Sequence, residues 1–359
     1  MISLQVAWAG RHDQFDRLRL IAAALVVYGH SYALAPPGHG GSDLLLRLTR
    51  AGHSGEIAVW VFFVISGFLL TMRWQEQPDP RRYVRNRALR ILPAYAVCLL
   101  LTALVLGPLV SSLPLTEYLA DPATWRYIVG NLSYLDMQYH LPGVFETLPY
   151  ANTVNGSIWS LQAEVWAYAL LLLAGLLGLL QPGRFALAVL LGTALTWALA
   201  SQLTRLAPEI PPALGAFALG MLAAVHARRI PLHGALPLAV LGCFVVASGL
   251  DADLAIRRGL LLLAVAMLTL WLAYRFPQRP GPHADPSYGL YLYGFPVQQL
   301  CVSLWPGLTP LGLTALALPA AWLCGHASWR YIEAPALRFK GAGSPPPAHL
   351  RDAPPPASD

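Results

Sequence analysis

The chain has 359 residues, 56% hydrophobic and 12% charged, with a mean hydropathy of +0.51. A soluble globular domain carries about 25% charged residues, so this composition excludes one and predicts an all-α polytopic membrane protein. The formal net charge of +6 does not imply nucleic acid, because nearly all basic residues are Arg in short loops between apolar runs, where they set orientation.

The first apolar helix, Phe15 to Leu34, carries Arg19 near its start and His30 near its end. That separation is about 16 Å and roughly three helical turns, so both side chains share one face at two depths. Ionisable groups inside an apolar span usually face a bundle interior or a watery cavity, which makes the pair a candidate site. The plainer reading leaves Arg19 and His30 as markers of the two edges of the span. The residues before this helix lack the basic start, apolar run and cleavage site of a signal peptide, so the helix is expected to stay in the mature chain.

Apolar runs near the ~20 residues that cross a bilayer occur at 18–35, 53–72, 88–110, 158–180, 184–202, 210–226, 231–250, 258–275, 286–305 and 309–329. They predict a bundle of about ten transmembrane helices. The loops after the second, fourth, sixth and eighth runs hold Arg73, Arg81, Arg82, Arg85 and Arg87, then Arg184, Arg228 with Arg229, and Arg275 with Arg279. Those loops are expected to be cytoplasmic, with both termini on the same side. The opposite loops are poor in basic residues, Arg257 and Arg258 excepted. The long stretch from Ser111 to Ser157 sets Arg126 against Glu117, Asp121, Asp136 and Glu146 and is expected outside, as an acceptor lid or an ordinary solvated loop. Residues 1–340 read as the transmembrane domain. Residues 341–359, rich in Pro and Ala, read as a disordered cytoplasmic tail.

In the second run the pair Ser66 and Gly67 interrupts the large apolar residues, for close helix packing or for backbone access by a ligand. Entering the third, Arg87 and Arg90 share a face, and their planar forks suit a phosphorylated cytosolic ligand; Arg81 and Arg82 suit lipid phosphate. Pro93 falls in the first turns of that helix. In the fourth, Glu164 lies about two turns into the apolar region, where a carboxylate serves proton transfer, orients a histidine or makes a structural hydrogen bond. Trp159 and Trp166 suit interfacial anchors. Cys98, Cys243, Cys301 and Cys324 lie in apolar segments without metal-ligand spacing and read as small buried hydrophobes, so no metal is expected.

The segments FDRLRLIAAALVVYGH, FFVISGFL, RALRILPAY and WSLQAEVWAY, in this order, resemble acyltransferase family 3, the inner-membrane O-acyltransferases that modify bacterial surface glycans, lipooligosaccharides and some antibiotics. FALGMLAA at Phe217 to Ala224, SYGLYLYGFPV at Ser287 to Val297 and SWRYIEAPALR at Ser328 to Arg338 extend the resemblance over nearly the whole chain. It implies that Arg19 and His30 match the family's essential Arg and His, and that Arg87 and Arg90 match its cytoplasmic arginine pair. Glu164 matches the acidic residue after Trp-Ser-Leu and joins Arg19 and His30 in the expected catalytic set. Ser66 is expected beside the arginine pair in acyl-CoA binding, and Trp159, Ser160, Tyr288, Tyr291 and Glu333 in acceptor contacts or motif structure. Gly294 stands where the family often has a His.

The implied function is transfer of an acyl group, acetyl being the commonest, from cytoplasmic acyl-CoA to a hydroxyl of an extracytoplasmic glycan or glycolipid. His30 would be base or transient acyl carrier, with Glu164 placed to orient it. Acyl-CoA is a co-substrate and no bound cofactor is expected. With no esterase-like domain after the last helix, the chain is expected to finish the transfer itself or hand its acyl group to a separate periplasmic transferase. The bilayer, acyl-CoA and the acceptor are the expected partners, in the bacterial inner membrane. A proton-coupled transporter or flippase is the competing class; it would often show internal repeats with paired broken helices, and no such repeat is found. A scaffold or sensor would leave Arg19 and His30 unexplained.

Overall fold

The computed structural model describes residues 2–10, 13–35, 41–185, 208–276 and 284–340. Among these residues the regular elements are helical, and β-structure is confined to the isolated bridges Ser3–Pro231 and Ser111–Val144. In chain order the helices are α1 (Leu4–Ala9), α2 (Phe15–Leu34), α3 (Leu44–Thr49), α4 (Ser54–Glu76), α5 (Pro80–Leu101), α6 (Leu115–Ala120), α7 (Pro122–Ser133), α8 (Trp159–Leu176), α9 (Ile210–Val225), α10 (Ala235–Gly249), α11 (Leu254–Arg275), α12 (Ser287–Leu304), α13 (Pro310–Ser328) and α14 (Ala334–Arg338). Wide π turns at Thr102–Leu106 and Trp329–Glu333 extend α5 and join α13 to α14. Among the described residues, Ser54–Glu76, Pro80–Val110, Gly156–Leu176, Leu254–Arg275 and Pro310–Arg338 are long and apolar enough to cross a membrane, and the chain is a multi-pass membrane protein.

The run expected at 184–202 falls largely on residues outside those described, as does the tail at 341–359. The other expected runs coincide with α2, α4, α5 and α8 to α13. α2 and α12 carry buried polar residues where they pack on each other. Gln298 of α12, fully buried, donates to the Val27 carbonyl at 2.7 Å and to Ser31 Oγ at 2.8 Å on α2. α5 starts at Pro80, earlier than expected: the Asp79 carboxylate accepts the Arg82 N–H at 3.1 Å, and Pro at the first turn costs no hydrogen bond. Pro93 therefore lies mid-helix rather than in the first turns.

Ser66 and Gly67 do not break α4, which is continuous. A Cβ on Gly67 would collide with the Phe217 carbonyl, and one on Gly220 with the Val64 carbonyl, so α4 and α9 meet backbone to backbone. Gly67→Ala is expected to push these helices apart at a cost of about 1–3 kcal/mol. A lower melting temperature of the protein in nanodiscs checks it; an unchanged one would contradict this packing.

Ser111 to Ser157 is only in part a solvated loop, with Glu117, Asp136 and Glu146 exposed. It forms α6 and α7, and Tyr118 and Tyr127 are fully buried against α5, with Tyr118 Oη donating to the Ala103 carbonyl at 2.7 Å. The exception noted among the arginines also has a partner: the Arg258 guanidinium pairs with the Glu56 carboxylate at the start of α4. Cys98 and Cys301 are buried as expected, whereas Cys243 is exposed because α10 buries only Pro237 and Phe244. The α10 face that carries Cys243 points outward, toward lipid in a membrane span. The N-terminal segment forms α1 and docks through Leu4 N–H on the Ile230 carbonyl at 2.9 Å.

Candidate active site

Two adjoining cavities open from one end of the bundle. The inner one, about 80 Å³, is bordered by Arg19, Ser66, Arg87, Arg90, Ser160, Glu164, Tyr288 and Tyr291. The outer one, about 740 Å³, shares Arg19, Ser66, Arg87 and Arg90 with it and adds Arg73, Arg82 and Lys340. Five helices contribute to the inner wall, so most residues singled out in the sequence converge there. His30, Trp159 and Glu333 border neither cavity.

The two arginines of α5 differ in what surrounds them. Arg90 Nη2 lies 2.5 Å from Asp285 Oδ2 and Nη1 lies 3.3 Å from Glu333 Oε2, with the guanidinium over the rings of Tyr288 and Trp329. Glu333, in the wide turn after α13, also accepts from Ser328 Oγ at 3.0 Å and is 2% exposed. It is thus a buried counter-ion, on the structural side of what was expected. Arg87 sits over the Tyr168 ring at 5.6 Å, and among the described residues no carboxylate lies within salt-bridge distance of it. Arg19 holds the exposed Asp16 at 3.1 Å, one turn away on its own helix.

Glu164 does not orient His30. Its carboxylate accepts from Tyr168 Oη one turn along α8 and faces Arg87, Arg90 and Arg19 across the inner cavity. The reason is depth: Glu164 is level with the Arg19 end of α2. Ser160 Oγ and Tyr291 Oη hydrogen-bond each other, and Tyr291 Oη also reaches the Ser157 carbonyl at 2.8 Å. Tyr288 Oη donates to the Ile91 carbonyl at 3.2 Å, tying α12 to α5. Trp159 and Trp166 are half-buried and pack on the core.

His30 lies at the far end of α2, half-buried, with its ring edge-on to Phe295 at 5.3 Å. Its Nδ1 is buried and has no hydrogen-bond partner among the described residues. A second imidazole stands beside it. His53 caps α4, its Nδ1 accepting the Glu56 N–H at 3.3 Å, which puts the proton of the neutral ring on Nε2. A Cβ on Gly55 would lie 3.2 Å from His53 Nδ1 and 3.9 Å from His30 Cδ2, so both rings border the space over that glycine. His53 was not singled out from the sequence; the signal available was a polar residue with Glu three positions on at the start of an apolar run. Gly294 of α12 faces α2, where a Cβ would lie 2.9 Å from Val27 Cγ2, so a side chain there would require the valine to shift.

Comparison with known proteins bears on the family of the chain. The sequence profile of acyltransferase family 3, an acyltransferase domain, matches residues 12–328. An O-acetyl transferase of Shigella phage Sf6 is 26% identical over 350 residues, covering 92% of this chain and 97% of the relative. Nodulation protein 10 of Rhizobium leguminosarum bv. viciae is 26% identical over 380 residues, covering 92% and 95%. No solved structure matches the chain. With the profile spanning most of its length, the chain belongs to acyltransferase family 3 and is an acyltransferase.

Proposed function

We propose that the chain is an O-acyltransferase of the bacterial inner membrane, moving an acyl group from cytoplasmic acyl-CoA to a hydroxyl of an extracytoplasmic glycan or glycolipid. The observation that carries this reading is the continuity of the two cavities through Arg19, Ser66 and Arg87, a basic path leading from one end of the bundle into its centre. In this reading residues 1–340 form a bundle of about ten helices with both termini cytoplasmic, and residues 341–359 are a tail. The arginine-rich ends of α4 and α5 mark the cytoplasmic face, and His30 lies toward the other. The relative named O-acetyl transferase supports acetyl as the group moved.

The donor phosphates rest on Arg87 and Arg19, and the thioester points inward past Ser66. His30 takes the proton of the acceptor hydroxyl as its oxygen bonds to the acyl carbon; the C–S bond breaks, and the CoA thiolate leaves and is protonated. In the variant mechanism His30 first takes the acyl group itself and passes it to the acceptor or to a separate periplasmic transferase.

Mass spectrometry of surface glycans tests this in cells carrying the intact gene, a deletion, or Arg19→Ala at normal membrane level. Loss of an acyl mass increment in the deletion and the variant is expected. Loss of a whole glycan from the deletion would instead support a flippase and sink the transferase reading.

A further inference from the structure

The outer cavity sets six cations, Arg19, Arg73, Arg82, Arg87, Arg90 and Lys340, against five carboxylates, Asp13, Asp16, Glu76, Asp79 and Asp285, and the cations are unevenly paired. From α2, Arg19 is held by Asp16, and from α5, Arg90 is held by Asp285 and Glu333. The other acids of the wall make direct hydrogen bonds to neutral donors rather than to its cations: Asp13 accepts the Phe15 N–H at 3.2 Å, Glu76 of α4 accepts the Trp8 indole N–H at 2.6 Å, and Asp79 caps α5. Arg82 donates to the Gln77 side chain, and Tyr83 Oη donates to the Tyr168 carbonyl at 3.1 Å. Arg73, Arg87 and Lys340 have no carboxylate within salt-bridge distance among the described residues. These three unpaired cations line one cavity, and a polyanion would complete them.

Lys340 is fixed in this cluster through its backbone. Its N–H bonds the Leu337 carbonyl at 3.1 Å, closing the turn after α14, and its own carbonyl accepts from Arg85 Nη2 at 3.2 Å. Burial, and then Arg87, Arg90, Arg73 and Arg19, push the Lys340 ammonium down to about 7. Among the basic side chains of this wall, lysine is the one whose charge responds to its neighbours near neutral pH, since guanidinium does not deprotonate.

We propose that Lys340 is a phosphate-binding residue of the donor site and takes up a proton when the phosphate arrives. The ligand class is a phosphate polyanion, which the donor reading above identifies with the phosphates of CoA; an inner-leaflet anionic lipid headgroup has the same chemistry. The sign follows from linkage: an incoming phosphate favours the charged ammonium, so bound Lys340 keeps its proton to higher pH than free Lys340. Affinity is then greatest at low pH and falls as pH rises through about 7, the value for the free side chain.

Calorimetric titration of CoA into the protein in phosphatidylcholine nanodiscs tests this. Runs at pH 7.5 in two buffers of different ionisation enthalpy count the protons taken up. Wild type is expected to take up a fraction of a proton. Lys340→Arg is expected to bind without uptake and with a flat pH profile, and Lys340→Gln to bind about 10-fold more weakly. Equal uptake in all three, or undiminished binding by Lys340→Gln, overturns the role of Lys340 and leaves the donor reading intact. If CoA does not bind wild type, the donor reading fails. A melting temperature raised by phosphatidylglycerol in wild type but not in Lys340→Gln then assigns the residue to a lipid phosphate, and no difference between the two overturns it as well.

Discussion

His30→Ala is expected to slow acyl transfer by about 10²- to 10⁴-fold, the usual contribution of a general base, with little change in melting temperature. The two halves of this expectation have separate physical grounds. The His30 ring contributes an edge-on contact with Phe295, worth about 1 kcal/mol, and its Nδ1 has no hydrogen-bond partner to strand among the described residues. Truncation therefore removes a reactive group without opening a network. A buried ring nitrogen left without a partner on a half-buried ring is unusual for a histidine whose task is structural, which would be hydrogen-bonded. Release of CoA thiol by purified protein, measured with acetyl-CoA and an acceptor glycan, gives the rate. Retention of the full wild-type rate would remove His30 from the chemistry.

Much of this site was legible because helix geometry alone aligns residues on one strand of sequence. Arg19 and His30 could be placed on one face of α2 from their spacing, and Arg87 with Arg90 on one face of α5. What pairs with those faces was not legible. Asp285 and Glu333 lie 195 and 243 residues from Arg90, and no periodicity links such positions. His53 escaped notice for the same reason: it meets His30 only because α2 and α4 close on Gly29 and Gly55, where a Cβ on Gly29 would lie 2.5 Å from Gly55 N. Glu164 illustrates a different failure. Its partner Tyr168 is four residues on, a helical neighbour readable from spacing, whereas contact with His30 depends on the relative depth of α2 and α8, which spacing does not give. In the stretch from Ser111 to Ser157 the acids Glu117, Asp136 and Glu146 are exposed, as their charge suggests, whereas Tyr118, Tyr127 and Tyr134 are buried and anchor it on the bundle, which its acidic character does not reveal.

Arg87→Ala and Arg90→Ala are expected to fail in different ways, although the residues are three apart on one helix face. Removing Arg90 leaves Asp285 and Glu333, with side chains 9% and 2% exposed, facing one another without their counter-ion. Breaking a buried pair from one side costs about 3–5 kcal/mol, most of it the stranded charge rather than the lost attraction. Arg90→Ala should therefore lower the melting temperature and the yield of folded protein. Arg90→Lys should recover little, since one ammonium cannot fork to carboxylates arriving from the start of α12 and the turn after α13. Removing Arg87 strands no carboxylate, and its ring contact with Tyr168 is worth about 0.5–1 kcal/mol. Its loss should appear as a raised KM for the acyl donor in a protein that melts near wild type. Thermal melting and donor kinetics on the two variants in nanodiscs separate the cases. Equal melting temperatures for both would contradict the counter-ion role of Asp285 and Glu333, and a destabilised Arg87→Ala with unchanged donor KM would move the phosphate contact elsewhere in the basic wall.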